Sequence, residues 1–200
     1  MAFKMSVQKS SGKISEVVIG TGDKAIKLGG ENVLPFYSFD GDTGNVQKVG
    51  VEINDIYPES WIDCYKEMYK DVANDPALWA KYVQDNTEAD FVCLRFVGAD
   101  PNADDKSPEE CAEVAKKVVD AIDLPLVVAG CGVAEKDGKV FAKVSEALEG
   151  KNVLILSAVE DNYKEVGASA GLAYGQKVGA ESAVDINLAK QMNVLLTQLG

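Results

Sequence analysis

The sequence contains no histidine, a single arginine and only four cysteines. The absence of histidine excludes a Ser-His-Asp or Cys-His triad, a His-ligated zinc ion and a histidine proton shuttle within this chain. The cysteines, Cys64, Cys93, Cys111 and Cys131, form no C-x-x-C pair and no run suited to an iron–sulfur cluster. We therefore predict reduced, structural thiols. Any chemistry has to come from carboxylate, amide, hydroxyl or lysine groups, or from a borrowed group.

The sequence also has little positive charge and no long apolar run. Asp and Glu outnumber Lys and Arg by 32 to 20, which gives a formal net charge of −12 and a pI near 4.5. This charge repels phosphate backbones and anionic lipid headgroups, so we expect no nucleic-acid partner and no membrane partner. Residues 1–13 lack the apolar stretch of a signal peptide, and apolar runs such as residues 124–129 fall short of the roughly 18 residues of a membrane span. We predict a cytoplasmic protein.

Hydrophobic residues make up 46% of the 200-residue chain, which is enough for the core of one domain of ordinary size. Near the start, residues 15–20 (SEVVIG) and residues 24–28 (KAIKL) are short alternating runs joined by a Thr-Gly-Asp turn. This pattern predicts a β-hairpin.

A turn-rich segment, DGDTGN at residues 40–45, separates this hairpin from the remainder of the chain. The segments that follow it have a different and more regular pattern. We therefore predict two parts, an N-terminal extension with the β-hairpin at residues 1–45 and a larger domain at residues 46–200.

In the larger part, short apolar segments alternate with amphipathic stretches of helical length. The apolar segments predict strands at residues 49–56, 91–97, 126–129, 153–156 and 180–184. The amphipathic stretches predict helices at residues 77–84, 108–122, 140–148 and 186–199, with Ser107 as the N-cap of the second. Strands that alternate with helices, and that are apolar on both faces, predict an α/β fold with a parallel sheet and helices outside it.

This repeat predicts a TIM (β/α)8 barrel that is truncated after about five β/α units. A complete barrel needs eight units and usually about 250 residues. The chain stops directly after the predicted helix of the fifth unit. Because an open barrel edge exposes unpaired backbone and apolar side chains, we expect a fragment of a longer protein and not a shortened relative.

Glycine, asparagine, aspartate and serine cluster just after each predicted strand, where α/β proteins bind their ligands. Gly98, Gly130 and Gly132 leave room for a large group to approach the backbone. Two interpretations stay open, namely ordinary loop composition and a broad, shallow ligand surface. Arg95 lies within a predicted strand, where a structural ion pair is favoured over a polar barrel interior as its explanation.

Five segments carry a resemblance to a known family. They are VGVEINDIYPESW, FVCLRFVGADPNADDKSPEECAEVAKKV, LPLVVAGCGVAEKDGKV, NVLILSAVEDNYKEV and VDINLAKQMNVLL. In order and spacing they resemble the small (delta) subunit of the corrinoid iron–sulfur protein of the CO dehydrogenase/acetyl-CoA synthase complex. The resemblance runs from about residue 17 to residue 200, and the blocks GADP, VVAGCG, EDNY and DIN are together fairly specific.

The resemblance implies a TIM-barrel subunit that pairs with a large subunit carrying a cobalamin-binding domain and a [4Fe-4S] cluster. It implies that cobalamin lies at the interface, receives a methyl group from methyltetrahydrofolate through a separate methyltransferase, and delivers it to acetyl-CoA synthase in the reductive acetyl-CoA (Wood–Ljungdahl) pathway. The chain is then a non-catalytic methyl-carrier subunit without metal ligands of its own. Strand-end position and family pattern select the residues expected to face the corrinoid: Asp55, Gly98, Asp100, Gly130, Cys131, Ser157, Ala158, Asn162 and Asn187.

A free-standing methyltransferase of the pterin-binding barrel class is the alternative. Such barrels end their second and third strands in motifs like D-x-N-V-G and L-D-S, whereas this sequence has Ala129 and Gly130 in place of the second Asp and Ser. That enzyme needs an acid or base, for which Asp55, Asp100 or Asp185 are the candidates. An acidic α/β domain with no ligand is a third interpretation.

Overall fold

The computed structural model describes residue 3 and residues 6–7, 11–34 and 37–199 of the chain. Part of the predicted N-terminal extension, namely residues 1–2, 4–5, 8–10 and 35–36, lies outside the described residues. The division of the chain at residue 45 stays a prediction.

The predicted β-hairpin is confirmed. β1 (Val17–Ile19) pairs antiparallel with β2 (Ile26–Leu28). A short 3-10 turn (Gly22–Lys24) joins the two strands. Gly20, which leads into this turn, has a φ of 79° and so lies in the left-handed region that glycine adopts without steric cost.

Five parallel strands form the central sheet, and their order in the sheet is their order in the sequence. They are β3 (Gly50–Asn54), β4 (Phe91–Arg95), β5 (Leu126–Ala129), β6 (Leu154–Ala158) and β7 (Lys177–Ala180). In the register, Asn54 lies opposite Arg95 and Arg95 lies opposite Ala129, so the carboxyl ends of these strands meet at one edge. The predicted α/β class and the predicted parallel strand order are confirmed.

The position predicted for the fifth strand is wrong. β7 begins at Lys177 and ends at Ala180, whereas the sequence predicts residues 180–184. Ala183 and Val184 have φ values of 37° and 70°, which are incompatible with an extended strand. The Asp185 N–H donates to the Ser182 carbonyl at 2.9 Å and closes a turn there.

Among the described residues, six α-helices follow the strands. They are α1 (Asp63–Tyr69), α2 (Pro76–Asn86), α3 (Pro108–Ala121), α4 (Ala134–Ala147), α5 (Tyr163–Val166), which runs on into a π-helical segment (Gly167–Ala173), and α6 (Ile186–Leu199). The Ser107 cap of α3 is confirmed, because its hydroxyl accepts the Glu110 N–H and the Glu110 carboxylate accepts the Ser107 N–H. Across the part of the chain that the structure describes, no helix is long and apolar enough to cross a membrane.

One face of the sheet packs against the helices. Side chains from strands and helices join in a single core, which includes Ile53, Val92, Leu94, Val128 and Ile155 from the sheet and Trp79, Cys111, Val118, Phe141 and Met192 from the helices. Alternate strand residues face this core, as expected from the two-residue period of a β-strand.

The β-hairpin covers the amino-terminal half of the opposite sheet face. Ile19 and Ile26 are buried there against Val127, with Phe91 and Leu154 beside them. The hairpin thus leaves only the carboxyl-terminal half of this sheet face open to a ligand.

Candidate functional site

A cavity of about 540 Å³ occupies the open half of the sheet face, above the hairpin and at the carboxyl ends of the strands. Strand residues such as Cys93, Ala129 and Leu156 form its floor, and the loops that follow β5, β6 and β7 form its rim. We call it the sheet cavity. Its position is that of ligand sites in parallel α/β proteins.

An ion pair lies on the floor of the sheet cavity. Arg95 Nη2 donates to Glu52 Oε2 at 2.9 Å, because β3 and β4 are neighbours and both side chains point away from the helices. This confirms the ion pair expected for Arg95, and the hydrogen bond that Arg95 donates to Glu52 is the main cause that raises the pKa of the guanidinium. Both side chains keep more than two fifths of their surface exposed, so the pair contributes at most about 1 kcal/mol to folding.

A buried carboxylate holds the loop between β5 and α4, whose residues 130–132 we call the Gly-Cys-Gly loop. Asp137 is 5% exposed, and its Oδ1 accepts the Cys131 N–H at 2.8 Å. Its Oδ2 accepts the Gly132 N–H at 2.9 Å, and the Cys131 thiol donates to Oδ1 at 3.1 Å. The side chain of Asp137 therefore fixes the backbone of this part of the rim.

Asn162 fixes the loop after β6 in a similar way. Its Oδ1 accepts the Val159 N–H at 2.8 Å, and its Nδ2 donates to the Ala134 carbonyl at 3.3 Å. Asn162 is 4% exposed, so its amide is satisfied inside the protein. The two rim loops after β5 and β6 are thereby tied to each other.

A second loop, between β4 and α3, is held by a different carboxylate and lies outside the sheet cavity. The side chain of Asp55 is fully buried, accepts the Gly98 N–H at 2.8 Å and forms an ion pair with Lys106 at 3.0 Å. Asp100, further along this loop, accepts the backbone N–H and the side-chain amide of Asn102.

The structure brings three of the nine predicted site residues together around the sheet cavity, namely Gly130, Ser157 and Asn162. The other six, which the cavity lining does not include, are Asp55, Gly98, Asp100, Cys131, Ala158 and Asn187. Ala158 is buried in the main core, and Asn187 lies on α6, where its N–H donates to the capping carboxylate of Asp185. Whether any of the nine contacts a corrinoid stays a prediction.

Sequence reasoning missed several polar residues of the sheet cavity. Glu181 and Ser182 line the rim directly after β7, and the misplaced fifth strand hid them. Glu52 is a polar residue at an alternate position of an otherwise apolar strand, and this signal was available in the sequence. Asp137 was missed because α4 begins at Ala134, six residues before its predicted start, in a polar turn without apolar periodicity.

The glycines have a reason for being small that differs from the predicted one. A Cβ at Gly130 would overlap the carboxylate of Asp137, and a Cβ at Gly98 would lie 2.7 Å from Ile56 and 2.8 Å from Asp55. These two glycines make room for buried side chains of the protein itself. Of the three glycines predicted to leave room for a large group, only Gly132 has open space where its Cβ would lie, and its φ of 95° favours glycine.

The lining of the sheet cavity is strongly acidic. Its charged side chains are Glu52, Asp137, Glu160, Asp161 and Glu181 on the acidic side and Arg95 on the basic side. Arg95 is already paired with Glu52. Such a lining disfavours an anionic ligand and suits a group that presents amide N–H donors or positive charge.

Cys93 on the floor of the sheet cavity and Cys131 in the adjacent Gly-Cys-Gly loop are poor nucleophiles and poor metal ligands. Burial raises the pKa of Cys93 to about 11. Burial, and in addition the hydrogen bond to Asp137, raise the pKa of Cys131 to about 11 as well. All four cysteines are free, and these two stay protonated at neutral pH.

Comparison with known proteins shows one consistent relationship. A family model described as the CO dehydrogenase/acetyl-CoA synthase delta subunit matches residues 16–200. An acetyl-CoA decarbonylase/synthase complex subunit delta from Archaeoglobus fulgidus is 33% identical over 198 residues, which cover 96% of this chain and 44% of the relative. The subunit of the same name from Methanothermobacter thermautotrophicus is 33% identical and covers 99% of this chain and 51% of its own length. The one from Methanocaldococcus jannaschii is 32% identical and covers 97% of this chain and 49% of its own length. The chain spans about half the length of these curated relatives.

Proposed function

The chain belongs to the CO dehydrogenase/acetyl-CoA synthase delta subunit family, and from this premise we propose that it is a binding and scaffolding subunit that helps to hold a corrinoid. The partner in this proposal is a large subunit that carries the cobalamin-binding domain and the [4Fe-4S] cluster. The methyl group comes from methyltetrahydrofolate through a separate methyltransferase and goes to acetyl-CoA synthase. The family match over residues 16–200, which agrees with the resemblance of the sequence segments, is the observation that carries the proposal.

The engagement of the acidic residues supports a non-catalytic role. Asp55 is buried in an ion pair, Asp100 accepts from Asn102, and Asp185 accepts the N–H groups of Asn187 and Leu188 as the cap of α6. A general acid or base has to reach the reacting group with a free proton or lone pair. The three candidates of the pterin-type alternative are thus engaged in local structure, and no observation favours that enzyme.

The residues at the sheet cavity suit the periphery of a corrinoid. A corrin ring is broad and carries amide side chains, which need hydrogen-bond partners such as the oxygens of Ser157 and Glu181 at the rim. The chain has no histidine, and the thiols of Cys93 and Cys131 are protonated, so these residues offer no strong cobalt ligand. When bound, the corrinoid supplies the methyl-carrying chemistry. The residues of this chain contribute hydrogen bonds and a fixed surface.

We also propose that the five β/α units are part of a (β/α)8 barrel. Consecutive strand order in a parallel sheet, with the helices of all units in one core, is the arrangement of a barrel and differs from the two-sided helix packing of a doubly wound sheet. The hairpin then closes the amino-terminal end of the barrel, and the sheet cavity lies at its carboxyl-terminal end.

Isolation of the native complex tests the proposed function. We expect a tagged chain to bring down a larger iron–sulfur protein in equal amount, and the complex to show corrinoid absorbance, whereas the chain alone is colourless. A chain that purifies alone, without corrinoid absorbance, and that transfers a methyl group from methyltetrahydrofolate by itself would refute the proposal in favour of the pterin-type enzyme.

A further inference from the structure

In the described residues, the Gly-Cys-Gly loop donates three hydrogen bonds to one acid, and a long fourth side-chain contact runs from Arg95 Nη1 to the Gly130 carbonyl at 3.5 Å. Asp137 accepts two consecutive backbone N–H groups and one thiol from residues 131 and 132. Asp137 lies in the first turn of α4, yet it reaches back beyond Val133, the residue that precedes the helix, to make these bonds. Its carboxylate is therefore directed at the loop and not at the orphan N–H groups of its own helix.

The position of this carboxylate determines the shape of the loop. Because the Asp137 carboxylate occupies the space where a Cβ of residue 130 would lie, a larger residue at position 130 would force the carboxylate to shift. Gly132 follows in a left-handed conformation with open space above it. The loop consequently presents backbone to the sheet cavity, which Gly130 and Gly132 both line.

A buried carboxylate is a costly way to hold a loop. Removing its charge from water is unfavourable, and here hydrogen bonds compensate for it. The arrangement is paralleled by Asp55, but Asp55 has Lys106 as a counter-ion and lies away from the sheet cavity. A carboxylate held mainly by the N–H groups of a loop at a cavity rim is typical of residues that orient a binding surface.

We propose that Asp137 is a positioning residue, which holds the Gly-Cys-Gly loop in its observed conformation so that the loop backbone can pack against the corrinoid. This inference rests on the proposed function. Asp137 acts through the loop and does not itself need to contact the corrin ring. Cys131 serves only as a reporter of the loop, because its thiol donates to the same carboxylate.

The test compares Asp137→Asn with Glu135→Gln in the isolated complex. Both variants remove one negative charge from the first turn of α4, but Glu135 is exposed and paired with Lys139. The first readout is alkylation of Cys131 at pH 9, followed by mass spectrometry with exposed Cys64 as the internal reference. In Asp137→Asn we expect Cys131 to react about tenfold faster, since each unit by which its pKa falls raises the thiolate fraction tenfold.

The second readout is the corrinoid retained per complex after dialysis, measured by absorbance. We expect Asp137→Asn to weaken corrinoid retention on the order of tenfold, the scale for loss of a group that orients a ligand-contacting residue. Glu135→Gln should retain corrinoid like the wild type. Faster alkylation with unchanged corrinoid retention would overturn the inference and leave the proposed function standing. If the wild type itself retained no corrinoid, the proposed function would fail and the inference with it.

Hydrogen exchange on the wild type keeps the inference testable if Asp137→Asn folds poorly. The amides of Cys131 and Gly132 should exchange slowly in the complex and stay slow after the corrinoid is stripped, because the carboxylate and not the cofactor holds them. Rapid exchange of both amides in the stripped complex would show that Asp137 does not hold the loop in advance.

Discussion

The loops after β4 and β5 are both held by a buried aspartate, but only the loop after β5 lines the sheet cavity. In each, a buried aspartate accepts at least one backbone N–H from a glycine-containing loop. The carboxylate also lies close to where the Cβ of one glycine would be, namely Gly98 or Gly130. Asp55 is neutralised by Lys106 and lies outside the sheet cavity. Asp137 is held by the N–H groups and thiol of the Gly-Cys-Gly loop and lies at the rim of the cavity.

The difference separates a structural loop from a candidate binding loop. In the first loop, a counter-ion offsets the cost of burying the Asp55 carboxylate, and the ion pair ties the loop after β4 to the end of β3. The second loop keeps its backbone directed at open space, and among the described residues its aspartate has no ion-pair partner. Arg95 interacts with the Asp137 charge from a greater distance and is itself paired with Glu52. Glycine and aspartate after a strand are thus insufficient to identify a site. The cavity and the charge balance decide which loop faces a ligand.

The largest expected effect on stability is at the loop after β4, where Lys106 pairs with Asp55. Lys106→Met leaves the fully buried carboxylate of Asp55 without its counter-ion, so we expect about 3 kcal/mol of lost unfolding free energy, near the lower end for a broken buried pair because Lys106 is 21% exposed. Urea denaturation of the isolated complex measures this loss. Lys143→Met, which breaks an exposed pair with Glu146, is the matched control and should cost less than about 1 kcal/mol.

The second largest expected effect on stability is at the Gly-Cys-Gly loop. Gly130→Ala places a methyl group in the space of the Asp137 carboxylate, so we expect about 1–3 kcal/mol of destabilisation and faster alkylation of Cys131. Gly171→Ala is the control, because a Cβ there meets only Val178 at 3.8 Å, and its stability should change little. Equal stability of Gly130→Ala and Gly171→Ala would mean that Asp137 does not occupy the space assigned to it.

The smallest effect is at the floor of the sheet cavity. Arg95→Met removes the ion pair to Glu52, but both side chains are more than two fifths exposed, so thermal unfolding should show a loss below about 1 kcal/mol. A loss of stability as large as that of Lys106→Met would contradict the contrast between the exposed Arg95–Glu52 pair and the buried Asp55–Lys106 pair. It would also place Arg95 among the structural residues.

The parts of the fold that depend on local signals could be predicted from the sequence. The Ser107 cap with Glu110, the hairpin and the parallel strand order follow from short patterns, and the structure confirms them. The fifth strand was misplaced because Lys177–Ala180 carries only one β-branched residue, whereas the left-handed turn at Ala183 has no sequence signal.

The candidate site was less predictable because it depends on contacts between distant segments. Strand-end position selected Gly130 and Ser157 correctly as cavity residues, but it also selected Asp55 and Gly98, which face the inside of another loop. No pattern in the sequence indicates that Asp137 reaches back across the start of α4.

Hydrogen exchange with and without corrinoid tests the central claim most directly, namely that the cavity end of this chain faces the corrinoid in the complex. The account predicts added protection in the loops after β5, β6 and β7, at residues such as Val133, Glu160 and Glu181, when the stripped complex is reloaded with corrinoid. The amides of Cys131 and Gly132, which Asp137 already holds, should be slow in both states. Amide protection in the loop after β4, around Asp100, should not change. Protection of the Asp100 loop, with no change at the three rim loops, would contradict the assignment of the sheet cavity as the corrinoid-facing surface.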